Sequence, residues 1–271
     1  MNPRLVAAAV TVALTLSLAP PAPAQEQLAV YRLEAAGRIE IAPDGSVHDL
    51  QLEAGHKATV AQALTKSIRG WRFEPITQDG KPVIASTRLR LELEARPATD
   101  GDYRLFIDKV HFGEPGQNHQ LNPPRYPRDA VRAGVSGRVV LVLKLDGAGN
   151  VERVHVEQTS LDPHASSRYA KRWRERFEQA SVASARNWKF DMTETIAGEP
   201  VGASVRVPVD YAFRRGHGKA WQAYVPGPYR PVPWVSADTV AATQADELGN
   251  GEVQALDSRF ELKSDVVGHA L

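Results

Sequence analysis

The sequence predicts an α+β protein made of two related units, each a small antiparallel sheet with a helix packed on one face. Two observations carry that prediction. One word occurs twice: Trp71-Arg72-Phe73 with Gly80-Lys81-Pro82-Val83 beginning nine residues after its Trp, and Trp188-Lys189-Phe190 with Gly198-Glu199-Pro200-Val201 beginning ten residues after. Each copy is also entered by Gly-Arg leading into an apolar strand, Gly37-Arg38-Ile39 and Gly137-Arg138-Val139. Self-similarity at that distance marks duplicated units. The order strand, turn, strand, helix, strand within each copy gives the layered arrangement.

The first unit spans 29–96. Gly37 to Ile41 reads as a short strand, and Pro43-Asp44-Gly45-Ser46 as a turn in which Pro presets φ and Gly accepts a positive φ. Val47 to Leu52 alternates as a second strand. Val60, Leu64, Ile68 and Trp71 recur at helical spacing, and Val83 to Leu93 closes the unit as a strand with Leu89, Leu91 and Leu93 on one face.

The second unit spans 103–213. Tyr126-Pro127 opens a short helix that stops at Gly134, with Pro in the first turn and Gly at C′. Gly137 to Leu145 is a strand, Asp146-Gly147-Ala148-Gly149-Asn150 a hairpin loop, and Val151 to Val156 the return strand. Asp162-Pro163 offers an N-cap and N1 for a long helix whose stripe is Tyr169, Trp173, Phe177, Ala180, Ser184 and Trp188. Arg168, Lys171, Arg172, Arg174 and Arg176 lie mostly off that stripe, and a solvated face is their ordinary reading. Val201 to Phe213 is the last strand. Pro97 to Asp102 is a polar linker, and 214–271 is a tail in which Pro226, Pro228, Pro231 and Pro233 alternate with aromatic residues and favour extended backbone.

Composition narrows the function. Lys and Arg number 33 against 32 Asp and Glu in 271 residues, so nothing points to nucleic acid as a partner. Arg4, the apolar stretch Leu5 to Leu18 and Ala22-Pro23-Ala24 read as a cleavable signal peptide over 1–24, with an uncleaved anchor as the alternative. Such a leader places the mature protein in the periplasm. With no Cys, stability comes from packed cores, and neither thiolate metal sites nor a lipid anchor on Cys is available. The eight His are scattered; no H-E-x-x-H, nucleophile elbow or P-loop occurs. The chain reads as a binding module with no catalytic residues, metal or cofactor.

Tyr126-Pro127, Gly137-Arg138-Val139, the Asp146-to-Val151 turn, Trp188-Lys189-Phe190, Gly198-Glu199-Pro200-Val201 and Val205-Arg206-Val207-Pro208-Val209 together resemble the C-terminal domain of TonB. The resemblance is best over 122–213, with a weaker copy over 36–94 that lacks the Tyr-Pro helix. It implies two TonB C-terminal-like domains. It also implies a periplasmic role in TonB-dependent transport, with outer-membrane receptors or components of the TonB system as partners. That family binds a short receptor segment as an added strand, which exploits the unpaired N–H and C=O groups of a sheet edge.

The expected contact surface is therefore the backbone of the last strand: Ser204, Val205, Arg206, Val207, Pro208, Val209, Asp210 and Tyr211, with Arg206 and Asp210 adding specificity. Pro208 cannot donate to a ladder, so it marks an edge or a bulge; it either receives a partner or guards the edge against one. Three features depart from the family pattern: residues 1–24 contain no His, no long Pro-rich spacer precedes the domain, and a second copy stands in its place. These leave force transduction in question and the binding module standing. Two other readings stay open: an envelope scaffold holding peptidoglycan or lipopolysaccharide on the basic helix, and self-association through exposed edges.

Overall fold

The computed structural model describes residues 29–98, 102–116, 118–163, 165, 167–212, 223–236 and 248–271. The leader expected over 1–24 lies outside the described residues.

The first unit comprises β1 (Tyr31–Ile41), β2 (Val47–Leu52), α1 (Ala58–Arg69), a two-residue hairpin β3 (Thr77–Gln78) and β4 (Lys81–Pro82), and β5 (Ala85–Pro97). Strands run β2-β1-β5, all antiparallel, and α1 buries Leu64 and Ile68 against them. Burying each of those side chains contributes roughly 1.5–3 kcal/mol. Next come β6 (Tyr103–Phe112), α2 (Arg128–Ala133), β7 (Gly137–Leu145), β8 (Val151–Leu161), α3 (Ala170–Ala185), a second hairpin β9 (Thr195–Ile196) and β10 (Glu199–Pro200), and β11 (Ser204–Tyr211). Here the sheet runs β8-β7-β11. Trp173, Phe177, Ser181 and Ala185 recur every four residues along α3 and are its buried stripe.

The duplicated words build duplicated geometry. Gly45 and Gly149 both sit at φ +80°, and each carbonyl accepts a bond from the Phe of the Trp-x-Phe word: Phe73 N–H to Gly45 O at 2.8 Å, and Phe190 N–H to Gly149 O at 2.9 Å. The chain following that word passes so close that a Cβ would lie 2.2 Å from Phe73 O or 2.0 Å from Phe190 O. Arg72 bridges Ser46 just as Lys189 bridges Asn150. Gly80 and Gly198 occupy the second corner of the tight hairpins, preceded by Asp79 and Ala197 at positive φ, a pairing that two-residue hairpins favour.

Several features differ from the sequence expectation. β5 continues through Pro97 and turns directly into β6 (Ala98 N–H to Asp102 O, 2.8 Å), so Tyr103–Phe112 completes the first sheet. The alternating Leu91, Leu93, Leu105, Ile107 and Val110 give both strands an apolar face over one core. The long helix starts not at Asp162-Pro163 but after a 3-10 turn, Ser167–Tyr169. Asp162 N–H is bonded to Ser136 O at 3.0 Å, which holds that residue at the end of β8. Tyr169 is exposed as a result.

The tail, whose placement the sequence leaves open, joins both sheets. Residues 223–236 run along β8 (Val225 with Leu161, and Arg230 N–H to Glu157 O), and β12 (Gln254–Ala255) pairs with β11. Phe260 then enters the first core, Leu262 bridges Phe73, and Gly268 and Leu271 bond β6. The β9-β10 hairpin also crosses over, pairing Ile196 and Thr195 with Ala85 and Ser86 of β5.

Glu194 sits where β5, that crossing and the tail meet. Its carboxylate accepts from Thr87 Oγ1 at 3.3 Å and also from Ser258. Burial raises its pKa above the ordinary carboxylate value, and the hydrogen bonds offset this only in part. Because the folded state holds this proton more tightly than the unfolded state, Glu194 contributes most stability below the ordinary carboxylate pKa. That contribution is lost as pH rises through the raised value. Urea unfolding across that window should show a falling component that Glu194→Gln removes. In the same assay Gly198→Ala should cost about 1 kcal/mol, since its φ is +84° in open space. Gly149→Ala should cost at least about 2 kcal/mol more, because the added carbon collides with backbone.

Candidate functional site

The expected contact strand, β11, contributes its two faces to different tasks. Val205, Val207, Val209 and Tyr211 point under α3 into the second core. Tyr211 stacks on Phe177 at 4.5 Å between ring centres, and its hydroxyl lies 2.8 Å from Ser181 Oγ. Burial pushes that phenol up to about 12. Tyr126, the expected staple, meets the Tyr211 ring edge-on at 5.3 Å and donates to Val135 O at 2.8 Å.

Ser204, Arg206, Pro208 and Asp210 lie on the other face. Arg206 is buried and forms two parallel bonds of 2.8 Å with Glu157, whose side chain is 2% exposed, as is that of Arg206. A bulge makes this pair possible. Val140 faces Gln158 but Leu141 faces Val156, so Glu157 is the extra residue of β8 and its carboxylate is turned to the side opposite α3. Asp210 is held by Arg138 at 2.6 and 2.9 Å, and Arg138 also donates to Leu248 O at 3.1 Å. Both side chains expected to add specificity are thus committed within the chain.

The inner edge of β11 is laddered along its whole length to β7, from Ser204–Lys144 to Tyr211–Gly137. The outer edge carries the backbone groups of Ser204, Arg206, Pro208 and Asp210, and residues 248–257 lie against it. Leu256 N–H donates to Ser204 O, and Gly251 N–H to Pro208 O, each at 2.8 Å. Arg206 pairs with Gln254. Two contacts come from side chains: Asp257 accepts from Ser204 N–H, and Asn250 Oδ1 accepts from Asp210 N–H at 2.7 Å. Pro208 therefore lacks its N–H on the outer side, where only two residue pairs of β12 form a ladder. An open cleft of about 480 Å³ lies at the Ser204 end, lined by Lys144, Asp146, Glu152, Ser204, Trp234 and Asp257.

The tail also covers the face. Val232 and Leu256 pack on Val142 of β7, with Trp234 and Val235 beside them. Sequence reasoning missed Glu157 and this cover. A signal for the bulge was available: inward residues of β8 step by two through Val154 and Val156, then by three to Thr159, which bonds Glu178 of α3.

Other candidates resolve more simply. Trp71 and Trp188 are both buried plugs. On the basic face of α3, Arg172 and Arg176 approach Asp129 at 3.5 and 3.3 Å, and Arg174 donates to Thr159 O at 3.2 Å. Among the described residues no group of three or more His, Asp or Glu is placed to hold a metal, and no helix is long and apolar enough to cross a membrane.

Breaking the Arg206–Glu157 pair from one side should be costly. Arg206→Ala leaves a buried carboxylate alone and is expected to lose about 3–5 kcal/mol in urea unfolding. Arg206→Met combined with Glu157→Leu should recover most of that loss, because removing both charges removes the desolvation cost.

Residues 122–213 match the family described as Gram-negative bacterial TonB protein C-terminal. Protein TonB from two strains of Xanthomonas campestris pv. campestris is 40% identical over 93 residues, which is 34% of this chain and 36% of each relative. The chain thus spans about a third of the length of the curated relatives it matches. No solved structure matches it. Residues 122–213 form a TonB C-terminal domain, of α+β architecture.

Proposed function

We propose that this protein is a periplasmic, TonB-like binding module of TonB-dependent transport, and that it takes up partner segments as an added strand along the outer edge of β11, Ser204–Tyr211. The observation that carries the reading is the state of that edge. Within the TonB C-terminal domain, β11 is the strand whose outer groups meet a two-residue ladder and side-chain caps in place of a full neighbouring strand. An extended peptide would supply backbone partners along the whole row. The partners proposed are N-terminal segments of outer-membrane TonB-dependent receptors, or other proteins of the TonB system.

The first unit is proposed as a second copy of the same domain. Apart from α2, which it lacks, it has the same order of elements, the same glycine turns against the Trp-x-Phe word and the same tight hairpin. Its equivalent edge, on β5, is laddered to β6 through nine residue pairs from Leu89–Phe112 to Pro97–Tyr103. Strand addition is therefore assigned to the second unit alone.

Photo-crosslinking in cells tests this, with one probe at Lys144, which lines the cleft beside the Ser204 end of the edge, and another at Asp210, near its other end. Capture of receptor N-terminal segments is the expected result. Capture confined to peptidoglycan or lipopolysaccharide, and abolished by added salt, would replace strand addition with the scaffold reading, since exposed charge contacts are screened while a backbone ladder is not. Capture of the chain by itself alone would replace it with self-association.

A further inference from the structure

We propose that residues 248–257 are a built-in occupant of the β11 edge, which an incoming strand must displace, so that the tail gates binding. This rests on strand addition at β11 as the protein's binding mode. Four observations carry it.

The tail serves every outer position of the strand from Ser204 to Asp210, so the edge is closed in the resting protein. It closes the edge poorly as a strand. The ladder covers only Val205–Ala255 and Arg206–Gln254; beyond it Gly251, rather than the next residue in register, reaches Pro208, and Asp257 and Asn250 substitute side chains for backbone. A regular strand of five or six residues would offer a longer ladder for the same edge.

The fit is incomplete as well. Ser204 Oγ, on β11, and Trp234 Nε1, in the adjoining cover, are buried with no hydrogen-bond partner among the described residues. A buried donor without a partner is a standing cost that opening relieves. Finally, what lies beneath, beside the small Val142–Leu256 contact, is an ion pair. When the cover leaves, Arg206 and Glu157 regain water while keeping each other, so uncovering them costs less than uncovering an apolar surface of the same size.

The contrast with β5 sharpens the assignment. There the chain closes the corresponding edge with ten residues of β6, whose Ile107 is buried in the first core. That closure is part of the fold. The β12 closure is the exchangeable one.

The test uses the full chain. Val205 and Ala255 face each other between two hydrogen-bonded pairs, the closest kind of antiparallel pair and within disulfide reach. The chain has no Cys to compete. Val205→Cys with Ala255→Cys therefore locks the tail when oxidised, and Gln254→Pro with Asp257→Ala unlatches it. The probe is a labelled peptide of the chain's own residues 248–258, added in trans. The unlatched protein should bind it at least tenfold more tightly than the wild type. The oxidised lock should not bind it, and reduction should restore wild-type binding. In the wild type, amide exchange at Arg206 and Asp210 should be at least tenfold faster than at Val205, Val207 and Val209, which face β7.

Equal peptide binding by wild-type, unlatched and locked proteins would overturn the proposal. So would outer amides that exchange as slowly as inner ones. A receptor segment that fails on the unlatched protein, while the tail peptide binds it, would sink the strand-addition reading instead and leave the displaceable tail in place.

Discussion

A three-stranded antiparallel sheet ends in two rows of unpaired N–H and C=O groups, and where those rows go governs the rest of this structure. On the first sheet β5 gives its outer row to β9 and β6. On the second, β8 gives part of its row to residues 225 and 230, and β11 gives its row to the stretch ending at Asp257. The tail is thus a sequence of edge partners. Its course follows from need: a chain that leaves β11 must reach both edges of the second sheet and then β6.

The same logic explains how the two units differ inside. In the second unit, the segment before α2 brings Asn122 O to within 2.8 Å of Trp188 Nε1 and 2.7 Å of Ser184 Oγ. Gln120 pairs there with Lys189. Among the described residues the first unit has no equivalent segment, and Trp71 Nε1 is buried without a partner. The backbone position of Lys189 is matched by Arg72, and here the tail steps in: Lys263 N–H donates to Arg72 O, and Arg72 N–H to Ser264 Oγ. One loop of the second unit is replaced in the first by the end of the chain, which meets the backbone need and leaves the indole unmet.

What was legible in the sequence was whatever is encoded locally. The Gly45 and Gly149 turns, the Leu64–Ile68 stripe, the Gly134 helix stop with φ +64°, and the apolar run of β7 all follow from spacing and residue type. The last strand, too, was placed within a few residues. What was not legible depends on partners distant in sequence. Leu105 and Ile107 mark β6 as a strand, but only its pairing with β5 decides which sheet it joins. Arg206 and Asp210 have the composition of exposed contacts; a segment some forty to fifty residues onward buries Arg206 and half-covers Asp210. Residues 254 and 255 carry no strand pattern at all, and are a strand only because an edge lies beside them.

That last point bears on how the β11 edge can be both protected and usable. An exposed strand of alternating Val is an aggregation risk, and Pro208 alone guards one position of it. A cover held by its own packing, as β6 is, would remove the risk and the proposed strand binding together. A cover with little strand character of its own keeps the edge paired while costing little to exchange. The buried Arg206–Glu157 pair completes this arrangement. It spans from β11 to β8 across the middle strand, and the Glu157 bulge aims it there. An ion pair closed in this way adds little net stability, yet it fixes the register of the three strands whether or not the tail is in place. On the proposed exchange, the edge therefore keeps one geometry, and an incoming strand would meet a surface already formed.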